Sequence, residues 1–113
     1  MTPDYLLEAS PVQGFMSDAE AHAFRAAPAE ACGLVVNGRY FACNNVASNS
    51  KEDFVICPYD YLSAAMSGKI EAVVHSHPKG GGPSGMDKKA CQATKLPWFV
   101  FDILNEKWST INP

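Results

Sequence analysis

The stretch IEAVVHSHPKGGGPSGMD, residues 70–87, decides how this chain is read. Residues 70–77 form an apolar run of strand length that turns polar at its C-terminal end. Lys79 to Pro83 hold three glycines and a proline, and read as a loop. Ser84 is a natural N-cap, so a helix is expected from there through Lys95. Strand, loop and helix in that order make one α/β unit. Such domains tend to place their sites at the C-terminal ends of strands, where His75 and His77 stand.

The rest of the chain extends this pattern. CGLVV and RYFAC flank Asn37-Gly38, a strong hairpin signal because both central turn positions need positive φ. Ser17-Asp18-Ala19-Glu20 has the form of a capping box, S-x-x-E, and predicts an alanine-rich helix running to about Ala27 and stopped by Pro28. An earlier helical turn is expected around Tyr5 to Ala9. NNVASNSKED reads as an exposed loop and FVIC as a short buried strand. Pro58 to Ser67 reads as a helix closed by Gly68. WFVFDIL and WSTI, joined by Asn105-Glu106-Lys107, predict a terminal hairpin. Helices and strands alternate in a mixed way, so the expected fold is α/β, a single mixed β-sheet flanked by helices.

With 113 residues, 47% of them hydrophobic and 19% charged, the expectation is one globular domain over residues 1–113. A net charge of −3 argues against a nucleic-acid or anionic-membrane surface, which needs a basic excess. There is no apolar run of bilayer length, and MTPDYLLEAS lacks the basic start of a signal peptide. Cys32, Cys43, Cys57 and Cys91 form no C-x-x-C pair and read as small, reduced, buried hydrophobes, with a disulfide between neighbouring strands as the minority alternative.

Side chains at i and i+2 of a strand share a face, so His75 and His77 project together while Ser76 points away. Two neutral imidazoles can bind one Zn²⁺. Ser84-Gly-Met-Asp87 offers a third ligand: Asp87 falls in the first helical turn, where the dipole favours a carboxylate. Glycines let the loop fold that turn back over the strand end. H-x-H alone and S-x-x-D alone are weak signals, but together at one strand-loop-helix junction they favour a metal site. Two His, one carboxylate and an open position describe a catalytic rather than a closed structural zinc site. A metal-activated water needs a base, and Glu30 in PAEACGLVV is the best candidate.

These residues resemble the JAMM (MPN-type) zinc metallopeptidases. Glu30 ahead of Cys-Gly-Leu-Val, VVHSHP and Pro83-Ser84-x-x-Asp87 carry the likeness. PAEACGLVV, FVICPYDYLSAA and DKKACQATKLPWFV bring it closest to the N-terminal domain of the tail assembly protein K of lambda-like tailed phages. The resemblance implies a fold similar to cytidine deaminases, with Zn²⁺ held by His75, His77 and Asp87 and Glu30 as general base and acid. It also implies that Ser84 hydrogen-bonds the developing oxyanion. The implied reaction is hydrolysis of a peptide or isopeptide bond in a protein substrate. That substrate is to be sought among phage tail-tip proteins with a ubiquitin-like segment, in the host cytoplasm during tail assembly. Six residues, Pro78 to Pro83, separate His77 from Ser84, one fewer than is usual in the family. Proteins of this branch usually continue into a cysteine-peptidase domain, so no peptidoglycan activity is carried over to these residues.

The rival expectation is a non-catalytic assembly module that binds tail-tip proteins, favoured by the shortened loop. A zinc deaminase fails for want of a Pro-Cys-x-x-Cys pair. His22 reads as a surface histidine. Cys91 and Cys32 are small buried residues near the site, with Cys32 a candidate for supporting it. Lys79, Lys88, Lys89 and Lys95 suggest a basic flank, and Trp98, Phe99 and Phe101 read as core aromatics.

Overall fold

Asn37 and Gly38 take φ angles of 52° and 78°, the positive values a two-residue hairpin turn requires. The strands they join, β1 (Cys32–Val36) and β2 (Arg39–Cys43), pair antiparallel with Val36 opposite Arg39 and Cys32 opposite Cys43. The computed structural model describes residues 14–113; the helical turn expected around Tyr5 to Ala9 lies outside the described residues. Helix α1 (Met16–Ala26) precedes the hairpin. After it come α2 (Pro58–Ser67), β3 (Ile70–His77), α3 (Gly85–Thr94), β4 (Trp98–Asp102) and β5 (Lys107–Ile111). They form one mixed sheet in the order β2-β1-β3-β4-β5, the α/β architecture expected.

The central strand β3 runs antiparallel to β1 and parallel to β4. Parallel neighbours need a crossover, and α3 supplies it. Alternation along β3 divides the core into two layers. Val73 faces Cys32, Leu34, Val36 and Trp98, and this layer is closed by Ala64 of α2 and Cys91 of α3. Ala72 and Val74 face the other way, where Phe15 and Ala19 pack on Val35 and Phe99. Burial on both faces explains why CGLVV and WFVFD are buried at every position instead of alternating.

Three local expectations are corrected. Helix α1 starts at Met16 with Phe15 as N-cap and no side-chain cap bond, so the Ser17–Glu20 box does not form. Glu20 is committed elsewhere: its carboxylate accepts from Trp108 Nε1 at 2.8 Å. Phe15, edge-on to both Phe99 and Trp108, fixes the helix start from the core. Residues 54–57 do not form the buried strand expected of FVIC. Ile56 alone makes a bridge there, to Asn45, while Val55 is exposed and Phe54 turns towards the histidines. Gly68 does follow α2, but its φ of 164° is extended rather than left-handed. A Cβ there would lie 2.4 Å from the side-chain nitrogen of the exposed Asn37, which would have to swing aside.

Candidate metal centre

The alternation of β3 brings His75 and His77 to the α3 side of the sheet, at the strand's C-terminal end. Ser76 points to the opposite side, where its Oγ accepts from the Ala31 N–H at 2.9 Å. His75 is 1% exposed. Its ring stacks on Phe54, 4.5 Å between centroids, and meets Trp98 edge-on at 5.5 Å. Its Nδ1 has no hydrogen-bond partner among the described residues, so the two aromatic rings set its orientation. The Nδ1 of the more open His77 lies 3.2 Å from the Gly81 carbonyl oxygen. A carbonyl can only accept, so in the neutral ring the proton sits on Nδ1 and Nε2 keeps its lone pair.

Asp87 arrives from the first turn of α3. Ser84 Oγ accepts from the Asp87 N–H at 3.0 Å, and Asp87 Oδ2 accepts from the Ser84 N–H at 2.9 Å. This reciprocal box pins the carboxylate towards the strand. The short loop closes because Gly80 and Gly81 take φ of 85° and 100°, a region that suits glycine. Asp87 Oδ1 lies 3.3 Å from His75 Nε2, and Oδ2 lies 3.2 Å from His77 Nε2. The two Nε2 atoms are themselves 3.2 Å apart.

Those spacings can be set beside two arrangements. A charge-assisted N–H···O bond is typically about 2.7–2.9 Å long. Ligand atoms around a tetrahedral zinc, with bonds of about 2.0–2.1 Å, sit about 3.3 Å from one another. Contacts of 3.2–3.3 Å are long for the first and near the second, with Oδ1 facing His75 and Oδ2 facing His77. Glu30 adds a carboxylate on another side: with His75 and His77 it offers ligand atoms all within 4.8 Å of one another. Glu30, His75 and His77 therefore lie close enough to bind a metal ion.

Glu30 is only 7% exposed. Burial raises its pKa from 4.5 to about 7, against the pull of nearby His77 and with a push from Asp87. Burial likewise acts to raise Asp87, but hydrogen bonds with His75, His77 and the Ser84 backbone outweigh it and hold Asp87 well below the usual carboxylate range. His75 is lowered, burial being the main cause. His77 is raised, chiefly by its hydrogen bond with Asp87. Glu30, His77 and Asp87 open into a cleft of about 560 Å³, lined also by Phe54, Trp98, Met86, Ala90 and Ser84. Since the Ser84 oxygen accepts from Asp87, its hydroxyl proton is left to donate.

The structure brings together Glu30, His75, His77, Ser84 and Asp87, the five residues singled out from the sequence. Other expectations change. The cleft flank is mixed rather than basic: Lys51 and Lys79 share it with Glu52 and Asp53, and Lys79 is paired with Glu52. His22 is half-buried, its Nδ1 2.6 Å from the Tyr40 hydroxyl, and burial lowers its pKa. Cys32 and Cys91 are fully buried core residues whose thiols reach backbone carbonyls, and all four cysteines are free thiols. Phe54 escapes sequence reasoning as a site residue. Its apolar surroundings suggest a strand, and only the fold shows it lying on His75.

A family profile described as prokaryotic homologs of the JAB domain matches residues 13–111. The chain belongs to the prokaryotic JAB-domain family. Within it, the JAB chain is similar to the "Tail tip assembly protein K" of Escherichia phage N15, 40% identical over 98 residues that cover 82% of this chain. Those residues span 40% of the phage protein's length. The fold is similar to the solution structure of a Desulfitobacterium hafniense protein, with TM-score 0.69 and 26% identity over 87% of this chain and 77% of the other. Among the described residues, no helix is long and apolar enough to cross a membrane.

Proposed function

We propose that this JAB domain is a zinc-dependent peptidase or isopeptidase that acts on a protein of the phage tail tip. The observation that supports the reading is the convergence of His75 Nε2, His77 Nε2 and the Asp87 carboxylate, Oδ1 lying 3.3 Å from His75 and Oδ2 3.2 Å from His77. A zinc ion held by these residues would supply a Lewis acid that polarises the scissile carbonyl and makes water acidic. Glu30 would serve as the base that accepts a proton from the attacking water and the acid that returns it to the leaving amine. A carboxylate whose pKa is about 7 can do both near neutral pH. Ser84 directs its free hydroxyl proton towards the oxyanion. His77 is held in the ligating tautomer by the Gly81 carbonyl, and Asp87 in its pose by the helix cap.

The test pairs metal content with hydrolysis. Purified protein is expected to hold about one zinc per chain and to cleave a tail-tip protein of the same phage. Glu30→Gln keeps the metal and loses cleavage, whereas His77→Ala loses both. Cleavage by Glu30→Gln at the wild-type rate would remove Glu30 from its role.

One observation favours a second reading, a JAB module that binds tail proteins without cutting them. Helix α2 buries only Ala64 and exposes Tyr59, Leu62 and Met66 in a row at helical spacing, with Tyr59 81% and Met66 80% exposed. Under that reading Glu30→Gln supports tail assembly as well as wild type.

A further inference from the structure

Among the side chains outside the ligand set, Asn45 makes an unusual number of contacts. Its Nδ2 donates to the Glu30 carbonyl at 2.9 Å, the Ser50 carbonyl at 3.3 Å and the Asp53 carbonyl at 2.9 Å. Its Oδ1 accepts from the Ala47 N–H at 3.0 Å and the Val55 N–H at 3.1 Å. One half-buried amide thus joins the segment leading into β1 to both flanks of Phe54. The Glu30 N–H donates to Ser50 O at 2.7 Å, so the loop that Asn45 holds also holds Glu30. On the other side, Ser76 fixes Ala31 through its hydroxyl and its N–H. Glu30 therefore sits between a clamp from β3 and a clamp from Asn45.

We propose that Asn45 is a positioning residue that sets the Glu30 carboxylate and the Phe54 ring against the metal ligands. The proposal rests on the zinc-peptidase reading for its consequence, though not for its geometry. Only an amide can serve this role: the carbonyls of Glu30, Ser50 and Asp53 require a donor, while the Ala47 and Val55 N–H groups require an acceptor. Asp in its place would keep the acceptor and turn a carboxylate oxygen towards three carbonyls. Ala would remove both halves.

The experiment compares wild type, Asn45→Asp, Asn45→Ala and Glu30→Gln, each with and without cobalt(II) as a spectroscopic metal. Amide exchange followed by NMR is the first readout. In both Asn45 variants the Glu30 N–H, whose acceptor is Ser50 and not Asn45, is expected to exchange at least about fivefold faster. The amides of Leu34 and Val74 in the sheet keep their protection, which separates a local release from general loosening. Cobalt absorption is the second readout. Cobalt still binds in the Asn45 variants, but their visible spectrum shifts from the wild-type shape to that of Glu30→Gln, and Asn45→Asp adds nothing in the Glu30→Gln background. An unchanged Glu30 amide together with a wild-type cobalt spectrum overturns the proposal. Wild-type protein that takes up no cobalt overturns the metal reading instead, and the exchange readout then decides the role of Asn45 alone.

Discussion

Replacing Glu30 by Gln should stabilise the metal-free protein, and by an amount that depends on pH. The fold buries this carboxylate, and desolvation raises its pKa from 4.5 to about 7. Between those values the native state holds a proton that the unfolded chain has released. Stability contributed by the protonated group is fully present below pH 4.5 and is lost as pH rises through 7. At about 1.4 kcal/mol per pH unit, the loss reaches up to about 3 kcal/mol by pH 8. A glutamine at this position cannot ionise, and it leaves the backbone bonds to Ser50 and Asn45 in place. Urea unfolding of both proteins in the presence of a chelator measures the effect. The gap between them should widen from under about 1 kcal/mol at pH 5 to roughly 3 kcal/mol at pH 8, in favour of the variant. A gap that is constant with pH, or that favours wild type at pH 8, would refute the claim that Glu30 is a buried acid held against its ionisation.

Asp87 separates metal binding from helix capping. Asp87→Asn keeps an acceptor for the Ser84 N–H but loses the charge that His75 and His77 favour. It should destabilise the metal-free protein at pH 7 and less so as pH falls, while zinc affinity in a chelator competition falls at least roughly a hundredfold. Asp87→Ala loses the cap as well and should cost about 1 kcal/mol more in urea unfolding. Gly33→Ala should destabilise by about 1–3 kcal/mol, because its Cβ would lie 2.5 Å from the Tyr40 ring, which His22 holds in place. Thermal unfolding checks it, and an unchanged midpoint would show that Tyr40 is free to move aside.

Much of the site was legible because its determinants are local. The strand period alone puts His75 and His77 on one face, and Ser84, standing at the N-cap itself, forms the reciprocal cap with Asp87 three residues on. Asn37-Gly38 specified its turn for the same reason. What escaped the sequence depends on distant partners. Glu20 left its expected cap for Trp108, 88 residues away. FVIC has a strand's composition, but Asn45 occupies the Val55 N–H and Phe54 is drawn onto His75. No local pattern distinguishes Asn45 from Asn44 beside it; only the position of Glu30 in the fold does.

The division between near and far contacts also bears on the order in which the domain matures. His75, His77 and Asp87 fall within the 13 residues 75–87, a short loop that closes at little entropic cost. Glu30 reaches them only when β1 docks beside β3, a contact such as Ala31 with Ser76 that spans 45 residues. The three proposed ligands are thus close in sequence, whereas the proposed base is distant from them. On the zinc-peptidase reading, hydrolysis would wait for the sheet to bring Glu30 beside the strand that carries His75 and His77.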